Sequence, residues 1–428
     1  MRRSILIAGV LAAACSGGPE PASTAAAETA PATSDAPLDE VLAELAPDEG
    51  ELGHNVSLED PSGEALDALH AALRRAAAGE GQARMLFYGG SHTAGDLYTG
   101  RLRQFFQAHF GDAGHGFVPL VPVVGRHWAW AVRIDEAEGF EVRQVGFKRR
   151  EIDRYGLIGV SYVADEPEAF AAVTSDHWGN GRLASRLALL HDRVPEGGHL
   201  EVWLDGRRVE TLDTAADPAE GGRRVYEVSD GPHRLEVRAV GDGPVTVFGV
   251  TMDRETPGVV VDNLGLVGSK ARHQLLWDEA LWRGFFVERR PDLIALAYGN
   301  NETTDTHLEV EDHEAHLRSL MARLQSAAPG ASCLLIGPTD RPRALDDGTL
   351  GPRPVVAELT EMQRRVAAEH GCAFFDTLAF MGGLGGGIAW LRHDPPYLQD
   401  DRQHLSREGY HRWGEALAHA LLEGYEGG

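Results

Sequence analysis

Five short apolar runs constrain this chain more than any other feature: RMLFYGG (84–90), GVVVDNLG (258–265), PDLIALAYGN (291–300), SCLLIGPTD (332–340) and CAFFDT (372–377). Each is almost continuously apolar rather than alternating, and each stops at glycine, asparagine or aspartate. Runs of this kind are buried on both faces, which is the signature of parallel strands covered by helices. The intervening stretches suit that role. Residues 61–79 place Ala65, Leu66, Leu69, Ala72 and Leu73 on one helical face, with Gly79 as the stop. The fold class is therefore α/β: a five-stranded parallel sheet in a three-layer α/β/α sandwich. Ligands of such sheets bind beyond the carboxyl ends of the strands, where Ser91, Gly268, Asn301 and Asp340 follow.

Between the first and second runs the pattern changes. Segments such as LEVWLDGRRVETL (200–212) and RRVYEVSDGPHRLEVRAVGDGPVTVFGV (223–250) alternate apolar and polar residues, and Asp205-Gly206 is a hairpin signal. This is β-sandwich sequence inserted in an α/β domain. The expected boundaries are 38–125 and 253–428 for the two parts of the α/β domain, with the insert at 126–252.

The N-terminus reads as an address. Arg2 and Arg3, an apolar stretch from Ile5 to Leu11 and Ala12–Ala14 precede Cys15. That stretch is a secretory signal too short to span a bilayer, and the small residues before Cys15 resemble a bacterial lipoprotein cleavage site. Residues 1–15 are expected to be removed up to a lipidated Cys15. Residues 16–37, rich in Ala, Pro, Ser, Thr and Glu, form a flexible tether. The chain is thus expected to be exported and held to a bacterial membrane through its N-terminal lipid. The net charge of −25 argues against a nucleic-acid partner. Cys333 and Cys372 lie in neighbouring apolar runs, where pairing and simple burial are both open.

Four separated segments carry the chemistry: GGSH (89–92), NLGLVGS (263–269), GNNE (299–302) and DRQH (401–404). Each has an ordinary reading. Ser91 reads as a helix cap, Gly268 and Asn301 as turn residues, and His404 as a surface histidine before a helix. In this order, after strand ends, the segments resemble the four sequence blocks of the SGNH, or GDSL-like, hydrolase superfamily. Within it, GGSHTAGDLYTGRLRQFF and GVVVDNLGLVGS look most like bacterial cell-surface polysaccharide O-acetylesterases, peptidoglycan O-acetylesterases among them. Those enzymes carry an inserted β-sandwich resembling a carbohydrate-binding module.

The resemblance implies roles. Ser91 would be the nucleophile, His404 its base and Asp401 the partner of the second ring nitrogen. The backbone N–H groups of Ser91 and Gly268 and the amide of Asn301 would bind the oxyanion, with Asn300 as the alternative amide. The family usually has Gly-Asp-Ser where this chain has Gly89-Gly90-Ser91. No cofactor is implied. His307, His313 and His316 in THLEVEDHEAH (306–316) read as a solvated helix face rather than metal ligands. For sugar contact the candidates are Trp178, His177 and Asn180 in HWGNG, together with Trp128. Alternation in WAWAV places Trp128 and Trp130 on one face of a strand, so burial in the sandwich is equally open. The expected activity is removal of O-acetyl groups from an acetylated polysaccharide; acetyl transfer to a sugar, or polysaccharide binding without catalysis, are the rival readings.

Overall fold

The computed structural model describes residues 52–53, 56–122, 129–135, 137–146, 151–175 and 179–426. The five apolar runs are the five strands of one sheet: β1 (Gln82–Gly89), β2 (Gly258–Gly265), β3 (Leu293–Ala297), β4 (Ser332–Ile336) and β5 (Ala373–Phe375). Their order is β2-β1-β3-β4-β5, and every neighbouring pair is parallel. Among the described residues, the longer helices that cover the sheet are α1 (Asp67–Ala77), α2 (Tyr98–Phe110), α3 (Glu279–Arg289), α4 (Val310–Ala327), α5 (Pro354–Glu369) and α6 (Arg407–Leu422).

Successive strand side chains point to opposite faces, and the two hydrophobic layers divide accordingly. Met85 and Phe87 of β1 pack with Leu69 and Leu73 of α1, Leu102 and Phe106 of α2, and Trp413 and Leu417 of α6. Leu86 and Tyr88 belong to the opposite layer, with Trp282 and Phe286 of α3, Leu317 and Leu320 of α4, and Leu359 of α5. On α4 the inward stripe is His313, Leu317, Leu320, Met321 and Leu324. His313 is therefore buried rather than on a solvated face, because it falls in the helical repeat of that stripe. Cys333 and Cys372, one register step before the Leu334–Ala373 pair of β4 and β5, are joined by a disulfide with a Cα–Cα distance of 4.7 Å.

Among the described residues, the remaining strands form one short pair, Arg343–Ala344 with Leu350–Gly351, and two larger antiparallel sheets. One contains Glu220–Gly231, Ala184–Arg193, Val245–Asp253, Val160–Ala164 and Glu141–Gln144; the other contains Arg133–Ile134, Phe170–Thr174, Arg234–Ala239, His199–Leu204 and Arg207–Asp213. Asp205 and Gly206 both have positive φ, 50° and 77°, and form the tight turn between His199–Leu204 and Arg207–Asp213. Strand Gly114–Val118, upstream of the expected start of the insert at 126, already pairs with Val245–Asp253.

The insert shares its core with the α3 side of the parallel sheet, through contacts such as Phe248 against Phe285 at 5.5 Å. A buried charge cluster pins the same junction. Arg289 of α3 donates to Asp253 at the end of the insert and to Asp262 of β2, and Asp262 also accepts the Phe117 N–H.

At the carboxyl end of the sheet, β1 and β2 stop at glycines for a steric reason. A Cβ on Gly89 would lie 2.1 Å from Thr93 Oγ1, and one on Gly265 would lie 2.2 Å from the Ala94 nitrogen. The short helical turn Ser91–Ala94 presses down on both strand ends, and this sets the height of Ser91 above the sheet.

Candidate active site

Ser91 opens that turn and is 7% exposed. His404 and Asp401 come from the other end of the chain, on the loop before α6, whose N-cap Ser406 accepts from Gly409 N–H. The loop is tight: Gln399 N–H donates to the His404 carbonyl at 2.8 Å, Arg402 N–H donates to the Gln399 carbonyl at 2.8 Å, and Arg402 has a φ of 57°. Folding brings Ser91 Oγ to 2.8 Å from His404 Nε2, and His404 Nδ1 to 2.7 Å from Asp401 Oδ2.

The charge state of Asp401 assigns the proton. Burial raises its carboxyl, but the His404 ring and the backbone N–H groups of His404 and Gln403 donate to it and hold it below its usual range. An ionised carboxylate only accepts hydrogen bonds, so Nδ1 carries the hydrogen and Nε2 presents its lone pair to the Ser91 hydroxyl. That pairing can activate a serine hydroxyl as a nucleophile.

Two further loops close the site. Gly268, with a φ of 74°, lies in the loop after β2, and Asn301 in the loop after β3. Asn301 Nδ2 donates to the Ser269 carbonyl at 2.8 Å, which ties the two loops together. An amide NH₂ has two donors, so one remains for an oxyanion. A helix start also leaves its first N–H groups without intrahelical partners, and Ser91 is such a residue. Asn300 turns elsewhere: its Oδ1 accepts from the Thr339 N–H and hydroxyl.

Gly90 has a steric role. A Cβ at this position would lie 2.8 Å from Asn301 Nδ2. Gly90→Ala is therefore expected to displace the amide with little effect on the melting temperature, since only the end of one side chain must move. Loss of an oxyanion donor costs about a hundredfold or more in kcat; a displaced donor is expected to cost roughly tenfold. Unchanged kcat in Gly90→Ala would show that the Asn301 amide does not need its present position.

Sequence reasoning missed several supporting residues. Glu302 is buried and accepts from the N–H groups of Ala271 and Gly299, bridging the β2 and β3 loops; burial pushes its carboxyl up. Its only sequence signal is its place beside Asn301. His92 lies beneath His404, with ring centres 5.3 Å apart and its Nδ1 2.9 Å from Tyr410 Oη. Burial, with His404 nearby, pushes it down to about 3, so it adds no charge to the triad at neutral pH.

The sugar-contact candidates fare unevenly. Trp178, His177 and Trp128 lie outside the described residues, as does Cys15. Asn180 Nδ2 donates to the Gln104 carbonyl of α2 at 3.3 Å. Trp130 is not on a strand. It sits in a turn, its N–H donates to Asp96, and its ring packs between Gly100 of α2 and Arg407 of α6. The alternation reading fails there because the ring finds its burial against helices of the α/β domain.

The chain is similar to known hydrolases over much of its length. Residues 230–412 match the GDSL-like lipase/acylhydrolase family, a span that takes in Gly268, Asn301, Asp401 and His404 but begins after Ser91. A solved peptidoglycan O-acetylesterase is similar over 86% of this chain and 99% of its own, at 25% identity and a TM-score of 0.70. That share of the chain is too large to leave out the antiparallel insert. An acetyl xylan esterase matches over 38% of this chain and 79% of its own, with 18% identity and a TM-score of 0.29. A family two carbohydrate esterase from Clostridium thermocellum matches over 69% of this chain and 99% of its own, with 10% identity and a TM-score of 0.27. No curated protein sequence matches significantly.

Proposed function

We propose, from the premise that this chain is an SGNH-type serine esterase, that it hydrolyses O-acetyl groups on a cell-envelope polysaccharide. The observation that carries this reading is the hydrogen-bonded chain from Ser91 through His404 to Asp401 at the carboxyl end of the parallel sheet.

In this mechanism Ser91 Oγ attacks the acetyl carbonyl carbon while its proton passes to His404 Nε2. The carbonyl oxygen becomes an oxyanion facing the N–H groups of Ser91 and Gly268 and the Asn301 amide. As the intermediate collapses, the C–O bond to the sugar breaks and Nε2 returns the proton to the sugar oxygen. That leaves an acetyl-Ser91 ester. Water, deprotonated by His404, then attacks this ester and releases acetate and free Ser91. Asp401 stays ionised throughout, orienting the ring and stabilising the imidazolium.

Attachment through a lipidated Cys15 would place the domain at the membrane, with residues 16–37 as tether. More than one acyl chain is needed for stable anchoring.

The test is acetate release by the full chain from p-nitrophenyl acetate and from O-acetylated peptidoglycan and xylan, together with detergent partition of the protein made in a bacterial host. Acetate from a glycan and recovery in the detergent phase are expected. A folded protein that releases no acetate from any of these substrates refutes the esterase reading. Recovery of the mature protein in the aqueous phase refutes the anchor.

A further inference from the structure

Many arginines of this protein are matched to carboxylates, as Arg103 is to Asp96, Arg154 to Asp192, and Arg289 to Asp253 and Asp262, while others such as Arg323 are held by backbone carbonyls. On one flank of the candidate site the same holds, because Asp305 receives both Lys270 and Arg272. Arg341 and the two arginines that act on it differ. Arg341, Arg353 and Arg402 make no ion pair to a carboxylate among the described residues. Arg341 is half-buried and reaches only neutral oxygens, the Asn300 carbonyl and Thr303 Oγ1, both at 3.4 Å. These two groups flank Asn301. Arg353 Nε is buried without a hydrogen-bond partner. Arg402 directly follows Asp401.

Carboxylates of the neighbouring loops are already committed. Asp340, adjacent to Arg341, accepts instead from the N–H groups of Gly385 and Gly387. Glu302 is spent on backbone N–H groups, and Asp401 on His404. The charges that act most on Arg341 are Arg353, Asp401 and Arg402, two of the three being cations. In a chain of net charge −25, Arg341 thus stands against the loop of Asn301 with only neutral oxygens for partners and with two other cations acting on it. Buried or half-buried cations are costly unless paired, and guanidinium groups bind planar or tetrahedral oxyacids through paired N–H donors.

We infer that the substrate is an anionic glycan, in which a carboxylate or phosphate on the acetylated sugar or its neighbour docks on Arg341, Arg353 and Arg402. This rests on the esterase reading above and narrows it. The anion would supply the missing counter-charge and hold the acetyl ester over Ser91, so its contribution appears mainly in KM.

The experiment compares three O-acetylated oligosaccharides of equal length: one bearing a uronic carboxylate, the same one with that carboxyl converted to its amide, and one bearing a sugar phosphate. The readout is the ratio of kcat/KM for acetate release from each anionic glycan to that from the amide, so a general loss of catalytic power cancels. A hydrogen-bonded charge is expected to give a wild-type ratio of about ten to a hundred. The larger of the two ratios identifies the anion. Arg341→Gln and Arg353→Gln are expected to bring it within about threefold of unity, and Arg341→Lys to retain part of it. High salt should shrink the ratio. Wild-type ratios near one for both anions, with acetate still released, overturn the inference and leave the esterase reading standing. A ratio unchanged in both glutamine variants overturns the arginine assignment. Absence of acetate from all three glycans and from p-nitrophenyl acetate removes the esterase reading, and the inference falls with it.

Discussion

Ser91→Ala and His404→Ala are each expected to lower acetate release from a glycan by roughly four to six orders of magnitude, with the double variant little worse than either. The reason is geometric. Ser91 Oγ and His404 Nε2 are 2.8 Å apart, and neither activates the carbonyl without the other. Asp401→Asn should cost about 10⁴-fold, because an amide in this position favours the wrong ring tautomer. His404 Nδ1 would then face a group that can donate as well as accept, across a contact of 2.7 Å. Circular dichroism should show all these variants folded, since none of the groups fills the core. Near-wild-type turnover by Ser91→Ala would falsify the assignment of the nucleophile.

Asp96→Ala is expected to produce the largest loss of stability from a single change near the site. Asp96 and Arg103 are completely buried. Arg103 donates to both Asp96 oxygens and to the Val261 carbonyl of β2, while Asp96 also accepts from the Thr99 hydroxyl and the Trp130 N–H. One ion pair thereby joins the turn after Ser91 to α2, to the sheet and to the entry of the insert. Removing one partner leaves a buried charge without its counter-ion, which costs about 3–5 kcal/mol. Chemical denaturation measures this directly, and a loss under about 1 kcal/mol would show that water or another group takes over the role.

The sign of the pH effect follows from the same pair. Burial raises the Asp96 carboxyl, but the charge and hydrogen bonds of Arg103 outweigh it and hold it low. Its stabilisation is therefore complete above the ordinary aspartate value of about 4 and is lost as pH falls toward the lowered native value. Asp96→Asn should be less stable at neutral pH and should lack this part of the acid transition.

Local patterning made much of the architecture legible. The five apolar runs became the five parallel strands because a strand buried on both faces has few polar positions to offer. Asp205-Gly206 became a hairpin turn because its two residues adopt the positive φ that such a turn requires. Ser91, Gly268 and Asn301 could be placed beyond strand ends because those ends are marked in sequence and face one side of the sheet, whereas His404 and the roles of all four came only from the resemblance of their segments to the SGNH blocks.

Other features depend on which loops meet, and periodicity holds no record of that. Gly90 stands where the family usually has aspartate, and only the structure shows that a Cβ there would press on the Asn301 amide. Trp130 alternated like a strand residue, and only the packing of α2 and α6 turned it into a wedge between helices. Cys333 and Cys372 were equally consistent with pairing and with burial until the register of β4 against β5 set them side by side. Glu302, Asp96 and Arg402 lie inside the quoted segments, but nothing in the local pattern assigns them a role. Sequence by itself determined the strands, their burial and the residue types at their ends, because these follow from side-chain chemistry along a few consecutive residues. Which polar groups found partners, and which were left for a ligand, was decided only when the sheet order brought loops more than a hundred residues apart into contact.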